Sequence, residues 1–186
     1  MPFGSKVALL IVLILLAIGS FFFFKKSAVA PGEQIIVSKN MKITSPAFEN
    51  NQAIPAKYTC DGENVSPPLG ISGVPAGAES LVLIADDPDA PRGTWVHWLL
   101  WNIDSSTSEI AEGSVPPGAV EGATSFGKPG WGGPCPPSGT HRYFFKLYAL
   151  DKKLEFPASA DKAQLEQALE GHILERAELV GLYQRR

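Results

Sequence analysis

The sequence predicts a mainly β domain: a β-sandwich or other sheet-based core with one or two C-terminal helices, preceded by an N-terminal transmembrane or signal helix. Three observations predict it. An uncharged apolar run stands at the N-terminus, strand-like segments bounded by Gly and Pro fill the middle, and helical spacing is confined to the end.

From Val7 to Phe24 there are 18 residues without a charge, almost all of them Val, Leu, Ile, Ala or Phe. As a helix at about 1.5 Å per residue this run reaches roughly 27 Å, close to the thickness of a bilayer's hydrocarbon core. Residues 1–26 are therefore read as a membrane anchor or signal segment, and 27–39 as a linker. Ala28-Val29-Ala30 has the form of a cleavage site, but Pro31 directly after it and the length of the run favour an uncleaved anchor. The following domain, 40–186, is expected to be membrane-anchored or exported and to stand outside the cytoplasm.

Beyond the anchor the chain carries 13 basic and 19 acidic groups, a net charge of −6, with no basic cluster. Nucleic acid is excluded as a partner on that ground, as is purely electrostatic docking on anionic lipid. Any anion must be held by local donors. Cys60 and Cys135 form no CxxC motif, which leaves two readings: buried thiols, or one disulfide in an exported domain.

Met41–Thr44 alternates as a half-buried strand does, and Ala53–Tyr58 is read as β structure after it. Leu81–Ala85 is a continuous apolar run, expected as a central strand that ends at Asp86-Asp87-Pro88. Thr94–Ile103 and His141–Leu150 are two further strong strands. Between them, Gly113–Gly139 holds eight glycines and six prolines in 27 residues, together with Phe126, Trp131 and Cys135. Such a loop is expected to be ordered, and to let backbone approach a ligand. Leu165, Leu169, Ile173, Ala177 and Val180 recur at helical spacing, with Gly171 as a break, so a helix is expected over this stretch. His172, beside that stripe, is read as a packing or capping residue.

Side chains alternate along a strand, which places Trp95, His97, Leu99 and Trp101 on one face and His141, Tyr143, Phe145 and Leu147 on another. Asp87 and Asp89 flank the turn before the second strand. If these strands are neighbours, two imidazoles and one or two carboxylates line one cavity. Imidazoles and the N–H groups of a Gly-rich loop can hold a phosphate or carboxylate, and an aspartate suits a cationic or hydroxyl group on the same ligand. The alternatives are a hydrogen-bonded core histidine and an Asx turn at Asp87 or Asp89.

Asp87-Pro88-Asp89-Ala90-Pro91, Val96-His97-Trp98 and Gly133-Pro134-Cys135-Pro136-Pro137-Ser138-Gly139-Thr140-His141-Arg142-Tyr143 resemble the phosphatidylethanolamine-binding protein family, also called Raf kinase inhibitor-like proteins. Cys60-Asp61-Gly62 and Ser66-Pro67-Pro68-Leu69 are similar to its bacterial and archaeal branch. The likeness runs from about Met41 to Tyr183. It implies a sandwich of a large and a small sheet with an anion pocket formed by Asp87, His97 and His141. Asp89, Pro91, the Gly133–Pro137 loop (Gly133 and Pro134 foremost) and Tyr143 would flank it. Two positions depart from the pattern: Gly70-Ile71 stands where a tryptophan is usual, and Trp131 where tyrosine is expected, which should reshape the pocket rim.

The resulting expectation is a module that binds a small anionic ligand, phosphate or a phospholipid head group, without catalysis and without a cofactor or metal. Rival readings are an inhibitor of a kinase or protease acting through the same pocket, and a metal-dependent hydrolase. The chain contains no HExxH ligand pair and no GxSxG nucleophile turn.

Overall fold

A computed structural model describes residues 40–185. The expected anchor and linker, 1–39, lie outside the described residues; among residues 40–185 no helix is long and apolar enough to cross a membrane.

Among the described residues, nine strands, one 3₁₀ turn and one helix follow in order. The strands are β1 (Lys42–Thr44), β2 (Gln52–Ala53), β3 (Leu69–Ser72), β4 (Ser80–Asp87), β5 (Trp95–Asp104), β6 (Glu109–Ile110), β7 (Val120–Glu121), β8 (His141–Leu150) and β9 (Ile173–Tyr183). The 3₁₀ turn is Ala56–Tyr58, and the helix, α1, is Lys162–Leu169. The strands form a small sheet, β1-β3-β6, and a large one, β2-β9-β8-β4-β5-β7. The large sheet is antiparallel except where β2 pairs with β9.

Two apolar layers hold these elements. One face of the large sheet, with Leu81, Leu83, Trp98, Leu100, Phe145 and Leu147, packs against Ile43, Leu69, Ile71 and Ile110 of the small sheet. The other face, with Val82, Ile84, Leu99 and Trp101, is covered by Leu154, Ala160 and the Leu165 and Leu169 stripe of α1. β4 is central and all eight of its residues are buried, as the apolar run predicts. It continues through Asp86 and Asp87, and alternation sends these neighbours to opposite faces.

Asp86 points to the helix side with no exposed side-chain surface. Lys146 of β8 reaches it at 2.8 Å, and Lys162, in the first turn of α1, also at 2.8 Å. A buried carboxylate needs such compensation, and here the compensation docks a helix onto a sheet.

Three sequence expectations change. The helix stops at Leu169, and Gly171 is left-handed (φ 77°). Ile173, Ala177 and Val180 belong to β9, which pairs with β8 from His141↔Tyr183 to Leu150↔Ile173. Their apparent helical spacing arises because both faces of this strand carry apolar residues. Ala53–Tyr58 is mostly not strand either: after the two-residue β2, Pro55 opens the 3₁₀ turn.

The third change concerns β5. Ala85 pairs with Trp98 but Asp86 with Val96, so His97 is an extra residue. A second register shift opposite Val82 brings Asn102 to φ 56°. Each bulge shifts the alternation. Leu99 and Trp101 therefore face α1, while the His97 ring sits with Tyr143 on the opposite side.

Cys60 and Cys135 are joined by a disulfide, with Cα atoms 5.4 Å apart. It closes a loop across 75 positions, for which the chain-entropy account gives about 4 kcal/mol. The Cys60→Ser/Cys135→Ser variant is expected to lose that order of stability in urea titration, with a larger m-value because the unlinked denatured chain exposes more surface. Replacing Lys146 and Lys162 together by Met should cost about 3–5 kcal/mol, because Asp86 is stranded. Adding Asp86→Leu should recover most of the loss in the same titration.

Candidate functional site

The site forms where β4 ends and β8 begins. Asp87, the last residue of β4, is 3 % exposed, and its carboxylate is committed on both oxygens. Oδ1 accepts the amide of Asp89 at 2.8 Å, an Asx turn that starts the Pro88–Thr94 reversal. Oδ2 accepts from Nδ1 of His141 at 2.7 Å. Asp87 thus orients His141 and would balance a positive charge on it, a different task from gripping a cationic ligand group directly.

Asp89 lies outside the cavity lining. It accepts from the backbone N–H of Arg142 at 3.0 Å, from Nε at 2.8 Å and from Nη2 at 2.6 Å. These hydrogen bonds hold its carboxyl down to about pKa 2. Two aspartates on either side of Pro88 therefore fasten adjacent residues of β8: Asp87 takes His141, and Asp89 takes Arg142. Arginine's paired donors suit that second task.

The bulge on β5 turns His97 toward the same cavity, where it is 4 % exposed. Its main chain and ring both engage Gly132: the Gly132 N–H donates to the His97 carbonyl at 3.0 Å, and the His97 Nδ1–H donates to the Gly132 carbonyl. The ring packs edge-on against Tyr143 (centroids 5.2 Å apart) and Phe126 (5.5 Å). Burial pushes the imidazole below the ordinary histidine pKa, outweighing the upward pull of the Gly132 carbonyl and of Asp87 and Asp86.

Tyr143, two residues after His141 on β8, is 2 % exposed. Its hydroxyl is buried near Asp87 and the Cys135 backbone, but makes no hydrogen bond of standard geometry to any of the described residues. Burial, then the charge of Asp87, keeps the proton on this hydroxyl far beyond the usual tyrosine range.

The enclosed space is about 220 Å³ and is lined by Asp87, Pro91, His97, His141 and Tyr143 of the expected set. That is below the roughly 300–1,000 Å³ of drug-sized sites, so it suits a head group or a small acid. A larger groove of about 780 Å³ runs beside β2 and the end of β9, but its ionisable groups, Asp61 and Tyr183, bond to each other at 2.8 Å. Among the described residues no three of His, Cys, Asp and Glu gather so as to hold a metal ion.

Gly133 and Pro134 do not line the cavity. The Gly133 N–H donates to Asn64 Oδ1 at 2.8 Å, and the Pro134 carbonyl accepts from Cys60 N–H at 3.1 Å. A Cβ at position 133 would lie 2.6 Å from the Tyr58 carbonyl oxygen, so the glycine serves close packing of the loop base. The cavity wall is instead Cys135, Pro136 and Pro137. Trp131 also stands back from the rim: it stacks on Phe145 (6.0 Å, 19°) behind His97. At the other departure, Ile71 is a core residue and Gly70 faces Thr44.

The sequence reading missed Trp95, Phe126 and Ala90 as lining residues. Trp95 and Phe126 meet edge-to-face at 5.5 Å and remain 36 % and 41 % exposed, an aromatic lip on the mouth. The place of Trp95 two residues before His97 was a usable signal; Phe126 arrives from a loop of no readable period. His172, left out of the site, pairs with Asp151 at 2.9 Å on the surface.

The depressed pKa of His97 has a definite sign in stability. The unfolded chain takes up this proton near pH 6.5 while the fold resists it, so protonation favours unfolding. Stability should fall as pH drops from about 6.5 toward 5. The fall should be smaller in His97→Gln than in the parent when urea midpoints are followed across that range.

Known proteins resemble this chain over nearly all of the described residues. The family model for phosphatidylethanolamine-binding protein matches residues 44–184. A UPF0098 protein of Methanothermobacter thermautotrophicus is 49 % identical over 150 residues, covering 78 % of this chain and 99 % of its own. One from Aquifex aeolicus is 46 % identical over 152 residues, covering 78 % and 89 %. Among solved structures, a phosphatidylethanolamine-binding protein homologue from Chlamydia trachomatis superposes with a TM-score of 0.77 at 44 % identity, over 80 % of this chain and all of that one. YbcL of Escherichia coli, described as a new member of the mammalian PEBP family, gives 0.74 at 31 % identity, over 78 % and 99 %. With its two sheets, its His141–Asp87 pair and these relatives together, the chain belongs to the phosphatidylethanolamine-binding protein family.

Proposed function

We propose that the domain is a binding module for a small oxyanion, phosphate or a phosphorylated head group, with no chemistry of its own. The observation that carries this reading is the buried Tyr143 hydroxyl without a partner, beside two imidazoles whose Nδ1 atoms are already engaged in the fold. A buried polar group left unpaired is costly, so a ligand oxygen is the natural complement. Nε2 of each ring remains for the same ligand.

The lining also supports binding over turnover. It contains no serine, threonine or lysine, its one cysteine is in the disulfide, and both oxygens of Asp87 accept hydrogen bonds from the protein. A covalent route through a hydroxyl of serine or threonine, a lysine amine or a free thiol has no starting group in this lining. The disulfide favours an oxidising compartment, in keeping with a domain held outside the cytoplasm by the N-terminal segment.

The exposed Trp95–Phe126 lip favours a second reading, in which a partner such as a kinase or protease presents an anionic side chain to the cavity across that lip. Free phosphate should then release the partner in a pull-down from native membranes, and Trp95→Ala/Phe126→Ala should weaken capture without weakening phosphate binding.

A ligand at a hundredfold excess over its Kd stabilises by about 2.7 kcal/mol, or about 5–10 °C in Tm for a domain of this size. Phosphate or phosphoethanolamine should shift the melting of the purified protein on that scale. His141→Ala and Asp87→Ala should each remove the shift; a full shift in both would move the ligand elsewhere.

A further inference from the structure

We propose that the cavity selects a phosphomonoester that still carries a proton, and discriminates against the phosphodiester linkage of an intact phospholipid, because His97 offers the ligand a fixed acceptor. This rests on the anion-binding reading above and adds the chemical class of the ligand.

A carbonyl oxygen can only accept, so the hydrogen bond to the Gly132 carbonyl fixes the proton on Nδ1 of His97 in either charge state of the ring. When the imidazole is neutral, Nε2 carries a lone pair and no hydrogen. Whether the ring stays neutral depends on its neighbours, and these come from every side. β4 brings Asp86 and Asp87, β8 brings His141 and Tyr143, and the 113–139 loop brings Phe126, Trp131 and the Gly132 carbonyl.

The two carboxylates that would draw a second proton onto His97 are both occupied. Asp86 faces the other side of the sheet under two ammonium groups, and Asp87 accepts from His141 and from the Asp89 amide. Three aromatic rings around His97 offer a second positive charge poor solvation. The cavity therefore presents two kinds of group. The Tyr143 hydroxyl donates. Nε2 of His97 accepts.

A phosphate monoester matches this set in its singly protonated form, which is well populated near its second pKa of about 6. Its anionic oxygens accept from Tyr143, and its P–OH donates to His97. A diester has lost that P–OH and brings only acceptors, leaving Nε2 of His97 against a lone pair. A site whose buried polar atom goes unpaired discriminates on the order of tenfold to a hundredfold. The small cavity keeps the comparison local, since one methyl group separates the two simplest probes.

Calorimetric titration of the full chain with methyl phosphate and with dimethyl phosphate, at about pH 6 and about pH 8, tests this. Near pH 6 the monoester should bind at least about tenfold tighter. The ratio should shrink toward pH 8, where the free monoester has lost its P–OH. The ³¹P resonance of bound methyl phosphate should hold at its monoanion position while the free ligand titrates. In His97→Gln, whose amide can donate or accept, the ratio should collapse toward one. Equal affinity for the two probes, a bound dianion in the spectrum, or an unchanged ratio in His97→Gln would each overturn the selectivity and leave the anion site standing. Absence of binding by either probe would overturn both. The wild-type titrations and the spectrum decide the matter even if the variant fails to fold.

Discussion

A carboxylate buried in a sheet must be met by protons or cations, and β4 ends with two such carboxylates in succession. Because neighbours on a strand face opposite ways, each of them recruits a different part of the molecule. Asp86 draws in Lys146 and Lys162, and so fixes α1 against the sheet. Asp87 draws in His141 and the Asp89 amide, and so fixes the start of β8 against the turn. Both residues of the second pairing line the cavity.

His97 completes the cavity by a less regular route. Its side chain reaches Tyr143 only because β5 carries one residue more than β4 at that point. The loop from 113 to 139 then supplies the other half of the wall: Gly132 holds the imidazole, and the disulfide holds Cys135 with the two prolines after it. The loop's few regular hydrogen bonds are replaced by specific ones to Asn64, Cys60 and His97. A long segment without periodicity can be ordered by such contacts, whereas its composition alone suggests flexibility.

Much of this was legible in the sequence, for identifiable reasons. β4 and β8 announce themselves by an apolar run and by clean alternation, so Asp87, His141 and Tyr143 fall into place together. The motifs gave the two-sheet architecture as well. Bulges leave no such mark, and a face assignment that is sound for β8 therefore fails for β5 beyond Val96. Residues 173–180 misled because a strand with apolar residues on both faces also satisfies a spacing of four. Gly133, Pro134 and Asp89 were assigned to the pocket because they sit in its motifs. The hydrogen bonds that engage them inside the fold depend on Asn64, Cys60 and Arg142, which no local pattern connects to them.

β9 follows every other described element in the chain, yet it lies inside the large sheet, between β2 and β8. Until it arrives, β8 has an open edge over its whole length, and the His141 end of the cavity lacks its neighbour Tyr183. An apolar, unpaired edge is the feature through which chains associate wrongly. The nascent molecule is therefore exposed to aggregation until its C-terminal segment is free to pair, a non-local contact that is slow to form. Synthesis order and sheet order are at odds here.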